Sequence, residues 1–424
     1  MDKLLTLAEE LKHQASDEVM AFWMRHGMDT ECGGYWTSLN RDGSRYGDGA
    51  KFIVVQGRTI YSLCVAYEWL GDREYLRQAE QGVAFFREHF RDRKNGGWYF
   101  SVSRDGQDVL DDSKQPYGLS FVSYGFGQYA RLTGDKAVLQ DAAETHALVM
   151  EKCWDKQKGG LPNRFTADWR LVEGIKRVDT HMHTMEGVSA LYHATGDRQY
   201  VERLNQLANT ILGCVGIDGC YDYAHGCTKE RFHMDWSEAL ASTEGLTNLG
   251  HVTEAGWFIA KLAGYTGDER QWRLAKGLVD WAVRHGFDRE RGGLHDYATP
   301  EGEVIRPEKV WWNQAELLGA LAYLYRMTGE AHYLATLEQH WEFVNRYMAD
   351  HQYGEWYPLL NADGSIAESR PGPGGRQLPA DYKGSPWKAP YHVFQGLLHT
   401  HHDLLRAAGK LPVAAPKAWG DYCL

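Results

Sequence analysis

The sequence predicts an all-α fold, an (α/α)6 barrel with short β-hairpins at one mouth. Two sets of glycines, and the pattern between them, carry that prediction. Glycine-bearing turns centred on Gly33-Gly34, Gly96-Gly97, Gly159-Gly160, Gly219, Gly292-Gly293 and Gly354 recur at steps of 63, 63, 60, 73 and 62 residues. A second mark keeps step with them: Leu70-Gly71-Asp72, Thr133-Gly134-Asp135, Thr195-Gly196-Asp197, Thr266-Gly267-Asp268 and Thr328-Gly329-Glu330. Self-similarity at a near-fixed period signals supersecondary units that bury their apolar faces against one another.

Each unit reads in the same order. After a Gly-Asp mark comes a helical pattern: between Glu74 and Phe86 the apolar Leu76, Ala79, Val83 and Phe86 follow helical spacing. The preceding Asp72 supplies an N-terminal carboxylate. After the double glycine, Trp98-Tyr99-Phe100-Ser101-Val102 alternates like a strand, and Asp105-Gly106 reads as a hairpin turn. A second, more hydrophobic helix follows, for example Leu119 to Leu132. Six such pairs hide their apolar faces without an open end only by closing into a ring, so residues 1–424 are expected to form one catalytic domain. The hydrophobic helices then make the inner circle. Their N-terminal ends, each fed by a hairpin, converge on one mouth.

Bulk composition narrows the class of partner. Over 424 residues the formal net charge is −11, which disfavours a nucleic-acid or anionic-membrane partner. The opening residues from Met1 to Glu10 are charged and helix-patterned, unlike a signal peptide, and no run of about 18 apolar residues could span a bilayer. Seven scattered cysteines, Cys32, Cys64, Cys153, Cys214, Cys220, Cys227 and Cys423, form no Cys-x-x-Cys pair, which reads as a reduced, cytoplasmic protein. Aromatic residues make up 13% of the chain, with 16 Trp, and a surplus of Trp suits stacking on sugar rings.

Reading the start of the inner helix in each unit gives Arg58, then Tyr117, then His181 and His183, then His251, then Trp311 and Trp312 with Glu316, and last Trp387 with His392. An arginine, several imidazoles, carboxylates and tryptophans meeting in one mouth suit acid/base work on a sugar. Histidine titrates near neutrality and serves proton transfer, and packing alone does not call for imidazole at the equivalent positions of His183, His251 and His392. The pairs His183-x-x-Glu186 and His251-x-x-Glu254 each place both side chains on one helix face. Metal ligation in carboxylate-bridged centres uses the reverse order, Glu-x-x-His. The order here favours a carboxylate that orients an imidazole and raises its basicity. His399, His401 and His402 form a tract that reads as a solvated helix end rather than a metal site.

These segments resemble the N-acylglucosamine 2-epimerase superfamily over nearly the whole chain. The marks are His181-Met182-His183 with Glu186, Gly250-His251 with Glu254, Trp311-Trp312 with Gln314-Ala315-Glu316, and Trp387-Lys388 leading to Pro390-Tyr391-His392. The resemblance implies an (α/α)6 barrel and an isomerase that needs no metal or redox cofactor. It implies His251 and His392 as the acid/base pair, with Arg58, Tyr117, His183, Glu254, Trp311, Glu316 and Trp387 binding substrate. One histidine would take the C2 proton of an open-chain aldose while Arg58 and imidazolium donors stabilise the enediolate, and the other would return a proton to the opposite face. Delivery to C1 instead would give a ketose, so aldose-ketose isomerisation and N-acylglucosamine epimerisation are the alternatives. The double tryptophan and Trp-Lys marks are similar to the cellobiose and mannose 2-epimerase branch, whereas Asp179 departs from that branch and Gln395 after His392 is an isomerase-like feature.

Two other classes compete. A glycoside hydrolase on the same ring would need a catalytic carboxylate pair, and a sugar-binding module would exchange no C2 proton. The expected partner is a small saccharide, with a homodimer left open. Residues 361–385, rich in Gly and Pro, read either as a lid or as a surface insertion.

Overall fold

In this computed structural model the described residues are 2–214, 219–368 and 378–411. Pro371 to Gly375 and Cys423 lie outside them. The chain begins with an outer helix in three parts, α1 (Asp2–His13), a π-helical stretch (Gln14–Met20) and α2 (Ala21–His26). There follow α3 (Ile53–Leu70) and α4 (Arg73–His89), α5 (Pro116–Thr133) and α6 (Lys136–Lys152), and α7 (Val178–Thr195) and α8 (Gln199–Leu212). A short α9 (Leu240–Thr243) precedes α10 (Leu249–Thr266) and α11 (Glu269–Gly286); then come α12 (Trp311–Thr328), α13 (Ala331–Phe343) and α14 (Tyr391–Ala407).

The inner helices α3, α5, α7, α10, α12 and α14 pack side by side, and α14 returns to α3 to close the ring. Each inner helix packs on the outer helix that follows it, and α14 packs on α1, so the N-terminal helix is the sixth outer one. Trp341 Nε1 seals that closure by donating to Glu10 Oε2 at 2.8 Å. The inner helices are hydrophobic all round, as a buried circle requires: α3 is buried at every position from Ile53 to Ala66. Glycines let the inner circle close tightly. A methyl on Gly57 would stand 2.4 Å from the Phe121 carbonyl oxygen, and one on Gly125 2.6 Å from that of Gly57.

The Gly-Asp mark works as its residue types dictate. Gly71 ends α3 in the left-handed conformation, which costs glycine little, and the Asp72 side chain then caps α4 by accepting from Glu74 N. The strand entering an inner helix pairs antiparallel with the hairpin of the next unit, as Lys51–Phe52 does with Ser101–Val102 and Lys309–Val310 with Leu359–Leu360. No described helix is long and apolar enough to cross a membrane.

One interaction was not anticipated. In five units a fully buried lysine ahead of the inner helix, two residues before it in four units and farther upstream in the sixth, reaches the aspartate that opens the glycine turn: Lys51 to Asp29, Lys114 to Asp92, Lys176 to Asp155, Lys309 to Asp288 and Lys383 to Asp350, at 2.8–3.1 Å. The same ammonium groups also reach carbonyls of neighbouring loops, such as Arg104 O for Lys51 and Met234 O for Lys176. Each staple therefore ties a glycine turn to the root of its inner helix. Removing one partner strands a buried charge, so Lys114→Met is expected to lower the unfolding free energy by about 3 kcal/mol. Urea denaturation measures it, and a loss below about 1 kcal/mol would show that the pair is dispensable.

The histidine tract near the C-terminus is a correction. His399, His401 and His402 are buried, because α14 is an inner helix whose far end packs on the first outer helix. His401 Nδ1 donates to Ala8 O at 2.7 Å.

Candidate active site

A cavity of about 350 Å³ opens at the N-terminal ends of the inner helices. Its walls include Arg58, Tyr117, His183, His251, Glu254, Trp311, Trp387 and His392. Gln115, Asn163, Arg177, Asp179, Tyr297 and Trp312 complete them. Residues far apart in sequence meet because the inner helices all start at this mouth: Arg58, Tyr117, Asp179, His183, His251, Glu254, Trp311, Trp312 and His392 lie in their first two turns, and the other walls come from the strands and loops that feed them.

Three histidines are each held by a carboxylate at Nδ1. His183 bonds Glu186 Oε2 at 2.7 Å, His251 bonds Glu230 Oε2 at 2.6 Å, and His392 bonds Glu316 Oε1 at 2.6 Å. The rings lie close together, and Trp312 packs against both expected acid/base groups: its ring centre is 4.9 Å from that of His251 and 5.7 Å from that of His392. Binding at Nδ1 turns Nε2 of each ring outward from its partner, the arrangement a proton-transfer group needs.

The carboxylate partners differ from what the sequence spacing implies. His183 does pair with Glu186, three residues on. His251 does not pair with Glu254; its partner is Glu230, on the strand Arg231–Phe232 side of the insertion before α10. Glu230 Oε1 also accepts from Asn248 N, and the Asn248 side chain caps α10 by accepting from His251 N at 3.0 Å. The root of α10 and its imidazole are thus positioned together. Glu316 does not line the cavity. It stands behind His392, and its other oxygen accepts from Trp257 Nε1 at 2.7 Å.

The electrostatics separate the histidines. Burial pulls the His251 imidazolium down, but the Glu230 charge and hydrogen bond outweigh it, and the pKa is raised. Burial, with Arg58 next, holds His392 well below its ordinary value, and burial lifts Glu316 to about 8. Glu316 bonds Nδ1 of His392, so its protonation sets the hydrogen bond that His392 makes. Below that range Glu316 keeps the proton; above it, a carboxylate accepts from Nδ1 and Nε2 is left as a base. His183 is likewise held well below its ordinary value by burial and then by Arg58.

Glu254 is fully buried, neither of its oxygens has a hydrogen-bond partner among the described residues, and it stands 3.9 Å from His183 Nδ1. Burial, reinforced by Glu316 and Glu186, raises its pKa well above the carboxylate range, which makes it a neutral acid facing the cavity. Glu254, Glu316 and His392 offer ligand atoms within 4.8 Å of one another. A cation there would have to displace the bond between His392 and Glu316.

Arg58 is 2% exposed and clamped from three sides. It donates to Trp387 O at 2.8 Å and Tyr117 Oη at 3.1 Å, and its guanidinium lies 4.3 Å from the Phe121 ring centre and 4.5 Å from that of Tyr391. Trp387, 38% exposed, forms the outer wall, edge-on to Tyr117. Of the tryptophan pair, Trp311 is the more buried, beneath Lys388, and Trp312 carries the face beside the histidines. His181 is structural: Nε2 accepts from Leu161 N at 2.9 Å and Nδ1 donates to Arg177 O. Gln395 is buried and donates to Tyr124 Oη, away from the cavity walls. Asp179 is bonded to Arg177, whose charge overcomes burial and lowers the carboxyl to about 2.

Sequence reading missed Glu230, Arg177, Asn248 and Tyr297. Arg177 and Asn248 are N-caps of inner helices, one residue outside the helical pattern. Glu230 sits in the loop just before the Arg231–Phe232 strand, and Tyr297 on the hairpin strand that follows a glycine turn; neither lies on an inner helix, where the sequence reading looked for site residues.

The N-acylglucosamine 2-epimerase (GlcNAc 2-epimerase) family model matches residues 34–377. Cellobiose 2-epimerase of Bacteroides fragilis is 26% identical over 405 residues, covering 92% of this chain and 97% of the relative. D-mannose isomerase of Marinomonas mediterranea is 26% identical over 371 residues, covering 85% and 91%. The solved structure of cellobiose 2-epimerase from Bacillus thermoamylovorans B4167 superposes with a TM-score of 0.82 at 24% identity, over 94% of this chain and 99% of that one. With the ring, the three carboxylate-held histidines and a family match over most of its length, the chain belongs to the N-acylglucosamine 2-epimerase family.

Proposed function

We propose that the protein interconverts the C2 epimers of an aldose, or of a disaccharide ending in one, through an enediolate. The observation that carries this is the pair of carboxylate-held histidines, His251 and His392, whose rings both pack against Trp312 at the cavity wall. With the substrate aldehyde oxygen near Arg58 and the neutral acid Glu254, negative charge developing on the sugar oxygens meets fixed donors. His392, as the base at Nε2, removes the C2 proton. His251, as the imidazolium, returns one from the other face, and the reverse direction exchanges the roles. Tyr117, Trp387 and the tryptophan pair supply walls for the sugar ring. The partner on this reading is a small saccharide, and the six described cysteines, all unpaired, suit a reducing compartment such as the cytoplasm.

Incubation of D-mannose, D-glucose, cellobiose and N-acetylmannosamine in deuterated water tests it. Deuterium entering C2 together with appearance of the 2-epimer is the expected result. A ketose without the epimer would transfer the reading to aldose-ketose isomerisation, and no C2 exchange with any sugar would overturn both.

A further inference from the structure

The fourth repeat is the longest, and the extra chain builds something. Strand Arg231–Phe232 and helix α9 from this insertion, together with the Val304–Arg306 strand, enclose a second cavity of about 140 Å³. Arg177, His251 and Tyr297 line both cavities, so the annex adjoins the catalytic one at His251.

Its charges are unusual. Arg177 and Arg231 face each other directly as a cross-strand pair. Directly opposed residues of an antiparallel pair project to the same face with Cβ atoms about 4.5–5.5 Å apart, and like charges so placed destabilise the sheet. Arg177 is neutralised by Asp179. Arg231 has no side-chain hydrogen bond or ion pair among the described residues, although it lines the annex. Across from it, Arg306 stacks on Tyr297 at 4.8 Å and reaches Glu244 only at 3.7 Å, on an exposed carboxylate. The remaining wall carboxylate, Glu230, is committed to His251 and Asn248 N. After every pairing one guanidinium is left over, with the hydroxyl-bearing Ser242 and Thr243 beside it on the annex wall.

We infer that the annex is an oxyanion site for a carboxylate or phosphate group carried by the substrate at the end remote from C2, with Arg231 as its main ligand. The inference rests on the epimerase reading and names a substrate class for it. A guanidinium matches the planar or tetrahedral oxygen array of such a group, and the anion relieves the opposed arginines.

The test compares C2 deuterium exchange on a neutral hexose, the corresponding hexuronate and the hexose 6-phosphate, in wild type, Arg231→Gln and Arg231→Lys. At least a tenfold higher kcat/KM for an anionic sugar than for the neutral one is expected in the wild type. Arg231→Gln should reduce that ratio at least tenfold, chiefly through KM, and Arg231→Lys should keep part of it. A parallel calorimetric titration with inorganic phosphate identifies a free anion as the source. Phosphate binding that requires Arg231, without preference for anionic sugars, would overturn a substrate-borne group. Exchange on all sugars alike, unmoved by Arg231→Gln, would overturn the annex while leaving epimerisation standing. No exchange on any sugar, with Arg231-dependent phosphate binding retained, would overturn the epimerase reading and support the oxyanion site.

Discussion

Replacing His392 by alanine is expected to stop epimerisation while one of the two epimers goes on exchanging its C2 hydrogen with solvent. His251→Ala should give the mirror result. On the proposed mechanism each histidine faces one side of the reacting carbon, so each would serve as base for one epimer and as acid for the other. With one ring gone, the survivor can still take a proton from the epimer whose C2 hydrogen faces it and hand it back to the same side. The loss of interconversion should be about 10²–10⁴-fold, the usual worth of a positioned proton-transfer group. Following loss of the C2 proton signal in deuterated water, with each pure epimer supplied separately, measures both quantities. If both variants lost exchange from the same epimer, a single base would be at work and the two-sided arrangement would be wrong. Unchanged turnover in both would move the chemistry to the carboxylates, as a hydrolase requires.

Glu230→Gln should narrow the pH range of activity from its alkaline side. On the proposed mechanism the working form needs Glu316 ionised behind His392, and His251 with its proton. Activity is therefore expected to rise as Glu316 loses its proton near 8, and to fall as pH climbs through the raised pKa of His251. Glu230 raises the latter, so removing its charge brings the fall to lower pH, into the rising limb, and the maximum drops by roughly 10²-fold at most conditions, the low end for a proton-transfer group. A profile of kcat/KM between pH 6 and 10 checks this. A merely structural effect would lower the whole curve without moving its alkaline limb.

The ring was legible because glycine at a helix end and carboxylate at the next start are local necessities, repeated often enough to set a period. The inner-helix walls were legible for the same reason: Arg58, Tyr117, His183, His251 and His392 lie in the opening turns of helices that the glycine marks delimit, and all five line the cavity. What stands behind the walls was not. The pairing of His251 with Glu254 looked right by helical spacing, yet in three dimensions the insertion strand delivers Glu230 to Nδ1 and leaves Glu254 turned to the cavity. Spacing within a helix constrains neighbours on that helix alone. It carries no information on a strand arriving from elsewhere. The buried lysines escaped for a different reason, since a lysine before a hydrophobic helix looks like a solvated flank until its aspartate, some twenty residues upstream, is placed in space.

The staples carry a further consequence for how this ring can vary. Five units pin the root of the inner helix with a lysine and an aspartate that take no part in chemistry, so their loops are free to change only around a fixed clasp. The fourth unit is built otherwise. Its strand before α10 holds Thr247 and Asn248 in place of lysine, and the residue that fastens Asn248 to the insertion is Glu230, the same carboxylate that holds His251. Scaffold and proton relay share one side chain there. Loss of it cannot be compensated separately in either role, and the loop beyond it is tied back by Lys229 to Glu238 rather than by a lysine–aspartate staple at the helix root. Change in this sector of the ring therefore reaches His251 directly, whereas in the other five units the lysine–aspartate staple stands between the loop and the chemistry.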